Sequence, residues 1–516
     1  MLKKNSHAVG NKIVFNTLIL YTKMLCMILL SFFTIRFLIE ALGVEAYGVF
    51  TLITGVVSLL LFFNSAMTVS TQRFLSYYQG TVDVDMQKKV FGHSLLLHIL
   101  VGLIFVLILG LAMPFLFKDI LNISDSLIEE AKWLYLTTIL TVLLSILSVP
   151  FRASLNAHEN ITTDSIVILV QSIAKLLGAV LLLTVVKDSQ LLFLGIVLVI
   201  SNLLALVFYG VYCVNKYAEC RFTYGKVDSD LLKELSKFAW WNLYTNLCYV
   251  LNTHGLNVMF NMFFGAVVNA AYGVAFQVNA QIKNLSQSLL RAISPQIMKS
   301  EGMNDRSRSV AMSMVASKYG FFLVSLGSIP CIVLMEELLN IWLTEVPNYA
   351  VQFCQLFLVA TLINQLTVGI TPAVQAVGKI RNFQMIIGTV ALFVLPVSYV
   401  ILDMDYPIFY AFYVIIIVEV ITGVIKIVMF KFICGFSIRE YLIKSVAKSL
   451  LPMLAAFYVC FKVNEILNTS SISDIFIVTF SFMVIYCILF YIYSLDRKER
   501  LGVKIILDSI KNKLIK

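Results

Sequence analysis

The sequence predicts an all-α polytopic membrane protein, and three observations lead to this fold class. The chain has 516 residues, of which 60% are hydrophobic and only 13% are charged. That is too little charge for the surface of a soluble protein of this length. Apolar segments of the roughly 20 residues needed to cross a bilayer recur along the whole chain. The loops between them alternate between basic and acidic composition, as the positive-inside rule requires of a multi-pass protein.

About fourteen transmembrane helices are predicted from this hydropathy pattern. With the N-terminus inside, the basic loops fall on one side, and one missed span would reverse every later loop. Both termini are therefore predicted to be cytoplasmic. The first span is predicted to be uncleaved, because its apolar run is too long for a signal peptide. The predicted spans are 12–40, 45–72, 92–116, 131–152, 163–186, 190–214, 237–263, 267–291, 309–335, 349–373, 382–402, 407–433, 443–462 and 473–494.

Two segments are predicted to lie on the cytoplasmic surface of the membrane. Residues 228–238 are predicted to form an amphipathic helix with its apolar residues on one side, namely Leu231, Leu232, Leu235 and Phe238. The basic tail after span 14 separates apolar from cationic side chains in the same way, although a solvated helix would show the same pattern. Anionic membrane lipids are the partners that such basic amphipathic surfaces favour.

The chain contains a weak internal repeat. EAYGVF at 45–50 is similar to NAAYGV at 269–274, and PFRASLNAH at 150–158 is similar to PAVQAVG at 372–378. Both pairs are offset by roughly 220 residues, or about six spans, which predicts two pseudo-symmetric six-helix lobes of the same orientation. The predicted domains are an N-terminal lobe at 1–218, a C-terminal lobe at 219–436 that includes the interfacial helix, and 437–516 with two C-terminal helices and the tail.

Polar side chains are aligned within several predicted spans. Lys23 lies two turns inside span 1, where an unpaired cation costs at least about 2.5–3.5 kcal/mol. Such groups turn toward a bundle interior or a hydrated cavity, and helical spacing places those of spans 7 and 8 on one face each. The candidate cavity residues are Lys23, Lys175, Lys283, Arg291, Lys318, Asn242, Asn246, Gln277, Gln281 and Asn284.

Alternatives stay open for single residues of this set. An isolated Asn or Gln often serves only as an interhelical hydrogen-bonding group, worth about 0.6 kcal/mol. Lys283 and Arg291 could instead extend along the helix to the membrane surface. Glu419, a carboxylate deep in span 12, could pair with Lys426 or take part in proton coupling.

The charge of the predicted cavity is positive, because five cations face one carboxylate. A diphosphate group would offset the desolvation of these cations through charge-assisted hydrogen bonds. We find no HExxH, P-loop or G-x-S-x-G motif, and the nine cysteines have no metal-ligand spacing. No enzyme activity, metal site or cofactor is therefore predicted. The net charge of +10 is assigned to the cytoplasmic loops and not to a nucleic-acid partner.

The run LGVEAYGVF at 42–50, followed by RFLS at 73–76, resembles the opening of the polysaccharide transporters of the multidrug/oligosaccharidyl-lipid/polysaccharide (MOP) flippase superfamily. The O-antigen (Wzx-type) flippases are the most similar in character. The resemblance implies a V-shaped pair of six-helix lobes around a central cavity, alternating access, and an undecaprenyl-pyrophosphate-linked oligosaccharide as cargo. It also implies a bacterial inner membrane, where other polysaccharide assembly proteins could be partners.

Relatives that flip the peptidoglycan precursor carry cavity-facing basic residues on spans 1, 2 and 8. Here spans 1 and 8 supply Lys23 and Arg291, and span 2 offers only Arg73, at its cytoplasmic end. Those relatives also bind sodium through acidic residues of the second lobe, whereas predicted spans 7 and 11 of this chain contain none.

The sequence thus predicts a flippase for a lipid-linked oligosaccharide, with two alternatives. A cation-drug antiporter of the same superfamily would place an acid in the cavity of the first lobe, where this chain has lysines. A membrane-embedded polysaccharide polymerase or glycosyltransferase would need a carboxylate pair on an outer loop, and the acids of 119–130 are the candidates for that pair.

Overall fold

The computed structural model describes residues 62–120, 123, 126–221, 228–264, 266–343, 346–467, 471–497 and 499–500, together with 19–20, 22–27, 29–31, 33–34, 37–38, 40–43, 46–47, 49–50 and 53–54. Every regular element within these residues is a helix, which confirms the predicted all-α class. The predicted basic tail from 501 onward lies outside the described residues.

The described helices follow the predicted spans. They are α1 (Thr22–Ser31), α2 (Phe62–Gly80), α3 (Val84–Phe115), α4 (Ile128–Ala157), α5 (Ile161–Thr184), α6 (Gln190–Lys216), α7 (Ser229–Phe264), α8 (Ala266–Gly302), α9 (Arg306–Val333), α10 (Met335–Trp342), α11 (Ala350–Gln365), α12 (Ile370–Val377), α13 (Arg381–Leu392), α14 (Val394–Asp403), α15 (Phe409–Cys434), α16 (Ile438–Tyr441), α17 (Lys448–Leu467) and α18 (Ile472–Leu489). Nine helical stretches of the described chain are long and apolar enough to cross a membrane, and the bent pair of α11 and α12 makes a tenth. Helices α1, α2, α7 and α8 lie at the four remaining predicted spans. The fold therefore agrees with the prediction of about fourteen transmembrane helices.

Short polar side chains and glycine define several helix ends. Asp83 accepts a hydrogen bond from the backbone N–H of Met86 at 2.9 Å where α3 begins, and Asp305 accepts one from the N–H of Arg308 at 3.1 Å where α9 begins. The first N–H groups of a helix have no partner within it, so these side chains stabilise the starts of the spans. Gly435 ends α15 with a φ of +73°, a left-handed conformation that glycine adopts without strain.

The chain divides into two compact units. The described residues up to Leu243 form the first unit, and those from Tyr244 onward form the second. The first unit therefore extends beyond the predicted boundary at 218. Helices α17 and α18, predicted as an addition to the two lobes, pack on α9 within the second unit through a shared apolar cluster.

The segment 228–238, predicted to be a separate interfacial helix, is the first part of α7, which runs unbroken to Phe264. Leu231 and Leu235 are buried. Arg73 of α2 lies 4.0 Å from Glu234. The apolar face predicted for a membrane surface is thus covered by protein, because α2 packs against it.

Helix α4 is the central helix of the first unit, since 61% of its apolar window is buried against 22% for α5. Tyr135 of α4 donates a hydrogen bond to the carbonyl oxygen of Leu109 in α3 at 2.9 Å. Gly195 of α6 lies directly against Thr137 of α4. A Cβ atom at Gly195 would clash with Thr137 Oγ1. The missing side chain at Gly195 therefore permits the close packing of α4 and α6.

A broken span lies inside the second unit, where α11 and α12 meet at 43°. The backbone N–H of Gly369 in the break donates to Ser317 Oγ at 2.9 Å, and Ser313 Oγ donates to the Gly369 carbonyl oxygen at 2.6 Å. Tyr441 OH donates to the carbonyl oxygen of Leu366 at 2.9 Å. Side chains of neighbouring helices thus satisfy the backbone groups freed by the break, as a non-helical segment at membrane depth requires.

Candidate ligand-binding site

The first unit contains a half-open cavity of about 400 Å³ between α4, α5, α6 and the described residues of the first two predicted spans. This volume falls within the range of small-ligand sites. Among the described residues that line it, Lys175 is the one with a charged side chain. The lining residues are Thr34, Leu38, Tyr47, Phe50, Thr54, Thr138, Thr141, Val142, Ser145, Lys175, Leu194, Val197, Leu198 and Asn202.

Helix α4 contributes a row of hydroxyl groups to the cavity. Thr138, Thr141 and Ser145 are spaced at i, i+3 and i+7, which places them on one helix face. Thr138 Oγ1 donates to the Leu134 carbonyl oxygen at 2.7 Å, and Thr141 Oγ1 donates to the Thr137 carbonyl oxygen at 3.0 Å. Because these hydroxyl protons are directed to the helix backbone, the oxygen lone pairs can accept hydrogen bonds from a ligand.

Asn202 of α6 holds a fixed orientation at the edge of the cavity. Its Nδ2 donates to the carbonyl oxygen of Leu198 at 2.9 Å, and its Oδ1 accepts from Gln171 Nε2 of α5 at 3.3 Å. Both ends of the Asn202 amide are therefore occupied, and the bond from Gln171 joins α5 to α6.

Lys175 is the feature that gives the cavity its charge. Its side chain is exposed and lines the opening. It pairs with no carboxylate in the part of the chain that the structure describes. A lysine in the middle of a spanning helix is stable only if water or an anion reaches it. The cavity is therefore expected to be hydrated and to attract negative charge.

Lys318, predicted to face a ligand cavity, is enclosed by protein in the second unit. Its Nζ donates to Glu499 Oε2 at 2.6 Å and to the Ser494 carbonyl oxygen at 3.1 Å, and its side chain is only 5% exposed. The ammonium thus fastens the segment after α18 to α9. This position departs from the predicted one, because a carboxylate distant in sequence already neutralises Lys318.

Lys283 and Glu419 lie in the second unit. Asn364 Nδ2 donates to Glu419 Oε2 at 2.9 Å. Lys426 is buried and within electrostatic range of both Glu419 and Lys283. These residues form a mixed-charge cluster in which Glu419 is hydrogen-bonded to Asn364 and lies within electrostatic range of Lys426.

Helix α8 carries Gln277, Gln281, Asn284 and Arg291 on one exposed face. Polar groups on a spanning helix avoid lipid, since hydrocarbon offers them no hydrogen-bond partner. This face is therefore expected to border water.

The predicted polar residues of α7 differ in exposure. Asn242 is buried and its Nδ2 donates to the carbonyl oxygen of Phe238 at 2.9 Å. Asn246 is partly exposed.

Lys23 of α1 is within electrostatic range of Asp164 in α5. Asp164 also accepts hydrogen bonds from Arg152 Nε and from Tyr209 OH, each at 3.0 Å. Lys175 is thus the one predicted site residue in the described lining of the cavity, whereas Lys23 belongs to a neighbouring cluster.

Sequence reasoning did not select the hydroxyl row of α4 or the Arg152–Asp164 pair. The i, i+3, i+7 spacing of Thr138, Thr141 and Ser145 was an available signal, because it marks one face of an apolar helix. The described residues contain no group of three His, Cys, Asp or Glu side chains that could hold a metal ion.

The fold is shared with solved transporters. A crystal structure of a mutant MATE protein superposes with a TM-score of 0.72 at 12% identity, covering 84% of this chain and 97% of that chain. An outward-facing multidrug resistance MATE family transporter of the MOP superfamily gives 0.71 at 12% identity, covering 83% and 96%. A MOP superfamily transporter from Pyrococcus furiosus, whose reversed pocket polarity suggests a different function, gives 0.70 at 12% identity, covering 83% and 96%. No protein family and no curated protein matches the chain in sequence. The chain thus has the fold of the MATE transporters of the MOP superfamily.

Proposed function

We propose that this protein is a transporter that moves an anionic, undecaprenyl-pyrophosphate-linked oligosaccharide from the inner to the outer leaflet of a bacterial inner membrane by alternating access. The observation that carries the proposal is the cavity of the first unit, with Lys175 as the charged residue of its described lining. The fold shared with MOP superfamily transporters supports the transport activity.

The sign of the charge favours an anionic cargo. Charged groups within membrane proteins follow the charge of what they bind. A cation-binding cavity would need a carboxylate, and the described lining has none. A diphosphate would form charge-assisted hydrogen bonds with Lys175 and so offset the desolvation of its ammonium.

The remaining lining suits the sugar portion of such a cargo. Hydroxyl groups of Thr138 and Thr141 can accept hydrogen bonds from sugar hydroxyls, and Tyr47 offers an aromatic ring. Within the second unit, the exposed polar face of α8, which includes Gln281, is suited to contact water, since hydrocarbon offers its groups no hydrogen-bond partner.

The proposal also includes a residue for coupling transport to an ion, and the membrane setting and partners of the protein. Glu419 is the candidate coupling residue, because it is a carboxylate inside a mixed-charge cluster of the second unit. The proposed setting is a cell membrane with both termini in the cytoplasm, anionic lipids around the basic loops, and other polysaccharide assembly proteins as candidate partners.

The second candidate function is export of cationic drugs. The fold shared with a multidrug resistance MATE family transporter favours it. It predicts that the wild-type protein protects cells from cationic drugs, which the flippase proposal does not.

Substitution of Lys175 tests the proposed function. In a deletion strain complemented with Lys175→Met, export of polysaccharide is expected to fall about tenfold or more while the lipid-linked intermediate accumulates. The loss follows because a hydrogen bond to a charged group contributes about 1.5–3 kcal/mol. Lys175→Arg, which keeps the charge, is expected to retain most of the export.

Lys187→Met is the matched control, since Lys187 is an exposed lysine in the loop after the same helix. It is expected to export normally. Normal export by Lys175→Met, or drug protection without any change in lipid-linked intermediates on deletion, would contradict the proposed function.

A further inference from the structure

A histidine of the first unit joins α3 to the start of α7. His93 lies in the third turn of α3 and is only 8% exposed. Its Nδ1 lies 2.7 Å from the carbonyl oxygen of Lys89, one turn earlier on the same helix. Its Nε2 accepts a hydrogen bond at 2.7 Å from the backbone N–H of Asp228, the residue directly before α7. Both nitrogens of the buried ring are therefore engaged.

The two partners of His93 fix the protonation state of its ring. A carbonyl oxygen can only accept a hydrogen bond, so Nδ1 carries a hydrogen, and a backbone N–H can only donate, so Nε2 carries none. The contact with Asp228 thus requires the neutral ring. Protonation would place a second N–H on Nε2, directed at the N–H of Asp228, and two donors form no hydrogen bond.

Asp228 also carries the group that attracts a protonated ring. Its Oδ1 accepts hydrogen bonds from the N–H groups of Asp230 at 3.1 Å and Leu231 at 3.2 Å, which caps α7. The bond from Leu231 is the main cause that holds the pKa of Asp228 below its ordinary value of 3.8, so the carboxylate is charged wherever histidine titrates. This carboxylate lies within electrostatic range of His93. A neutral ring therefore binds the backbone N–H of Asp228, whereas a cationic ring is drawn to its carboxylate, in competition with the cap of α7.

Charged groups around this contact have partners of their own. Lys89 lies within electrostatic range of Asp228 but is exposed, where water and salt screen its charge. Helices α2 and α4 and the 3-10 turn Ala218–Cys220 pack against α3. The ion pairs on these elements, on α3 and on the start of α7 are Arg73 with Glu234, Arg152 with Asp164, His158 with Glu219, Lys88 with Asp85 and Lys233 with Asp230. Protonation of His158 strengthens its pair with Glu219, so it does not weaken the contact of His93.

Helix α7 continues from this contact into the second unit. It runs unbroken through the boundary between the two units at Leu243. Besides His93, the first unit holds the start of α7 through Ser70 Oγ, which donates to the carbonyl oxygen of Leu235 at 3.1 Å. A change at His93 therefore alters how the helix shared by both units is anchored in the first.

We propose that His93 is a pH-sensitive latch, which holds the start of α7 on α3 while its ring is neutral and releases it when the ring is protonated. The loop charges predict that this end of the first unit faces the cytoplasm, so the latch responds to cytoplasmic pH. Acidification loosens the start of α7, and a neutral cytoplasm fastens it. The latch itself needs no cargo, whereas its effect on the rate of flipping rests on the proposed function.

Hydrogen exchange of the purified full-length protein tests the latch. Amide protection is measured by mass spectrometry in peptides that cover 228–235, at about pH 7.5 and about pH 5.5, on either side of the range in which histidine changes charge. After correction for the intrinsic pH dependence of exchange, protection in the wild-type protein is expected to be about two- to tenfold lower at the acidic pH, as the loss of one hydrogen bond predicts. His93→Gln, whose side chain does not titrate, should show equal protection at both pH values.

Asp228→Asn is a second variant, which keeps the backbone N–H and a capping oxygen. Its protection should still fall with pH, but with a midpoint at lower pH, because the cationic ring loses the carboxylate that attracts it. His254→Gln, which removes an exposed histidine of α7, is the control and should respond as the wild type does. Equal protection of the wild type at both pH values, an unaltered fall in His93→Gln, or an unshifted midpoint in Asp228→Asn would each overturn the inference. Because no cargo takes part in these measurements, failure of the proposed function leaves their outcome unchanged.

Discussion

Lys175 and Lys318 are both lysines within apolar helices, and the structure places them in opposite environments. Lys175 lines an open cavity, whereas Lys318 is held between the Glu499 carboxylate and the Ser494 carbonyl. Removing one partner from a buried ion pair is destabilising, because it leaves an uncompensated charge in a region of low dielectric. Substitution of Lys175 should therefore lower transport, whereas substitution of a partner in the Lys318 ion pair should lower the stability of the protein.

Glu499→Gln is expected to lower the thermal unfolding midpoint of the detergent-purified protein, at a cost of about 3–5 kcal/mol, because it leaves the Lys318 ammonium buried without a counter-charge. The double variant Lys318→Met with Glu499→Gln should recover part of this loss. Lys462→Met, which removes an exposed pair with Glu465, is the control and should cost at most about 1 kcal/mol. A Glu499→Gln protein as stable as the wild type would refute the anchoring role.

At the scale of elements, the ends of α4 and α6 are joined by the short 3-10 turn Ala218–Cys220. Glu219 accepts a hydrogen bond from Ser154 Oγ at 3.0 Å and lies 2.6 Å from His158 Nε2. The His158 ring stacks on Tyr217 with centroids 3.9 Å apart. Burial by itself raises the pKa of Glu219, but the contacts with His158, a backbone hydrogen bond and the hydrogen bond from Ser154 together outweigh it, so the pKa is held below its ordinary value of 4.5.

This lowered pKa predicts a pH dependence of stability. The contribution of Glu219 is fully present above the unfolded pKa near 4.5 and is lost as the pH falls through the lower folded value. Wild-type protein should therefore lose thermal stability in this acidic window, and Glu219→Gln should lose less. Glu129→Gln, at an exposed pair with Lys132, should behave as the wild type does. Equal acid sensitivity in Glu219→Gln and the wild type would argue against the link.

At the scale of the whole molecule, the proposed cargo carries charge across the membrane. Moving negative charge out of a cell that is negative inside releases about 2.3 kcal/mol per charge per 100 mV. Flipping in proteoliposomes should therefore accelerate when an inside-negative potential is imposed with potassium and valinomycin. Lys175→Met proteoliposomes serve as the control for leakage. A flipping rate that ignores the imposed potential would count against export of a net negative cargo.

The fold could be predicted from the sequence because each span is recognisable locally, from the length of its apolar run and from the charge of the loops beside it. The surroundings of the cations could not, because they depend on distant residues: Lys318 meets Glu499 only after α9 and the segment beyond α18 pack together. The amphipathic pattern of 228–238 indicates that one face is covered, but not that α2 covers it. Similarly, hydroxyls such as Thr138 become a cavity wall only once α5 and α6 are in place.

The pairing of Lys318 with Glu499 also has a consequence for biosynthesis. Their separation of 181 residues means that Lys318 leaves the ribosome about 10–40 s before its carboxylate, at synthesis rates of about 5–20 residues per second. Throughout that interval the nascent helix holds an ammonium without its final partner. The second unit therefore completes its assembly only after Glu499 has been synthesised, and a nascent chain stalled before Glu499 would expose this helix to quality control.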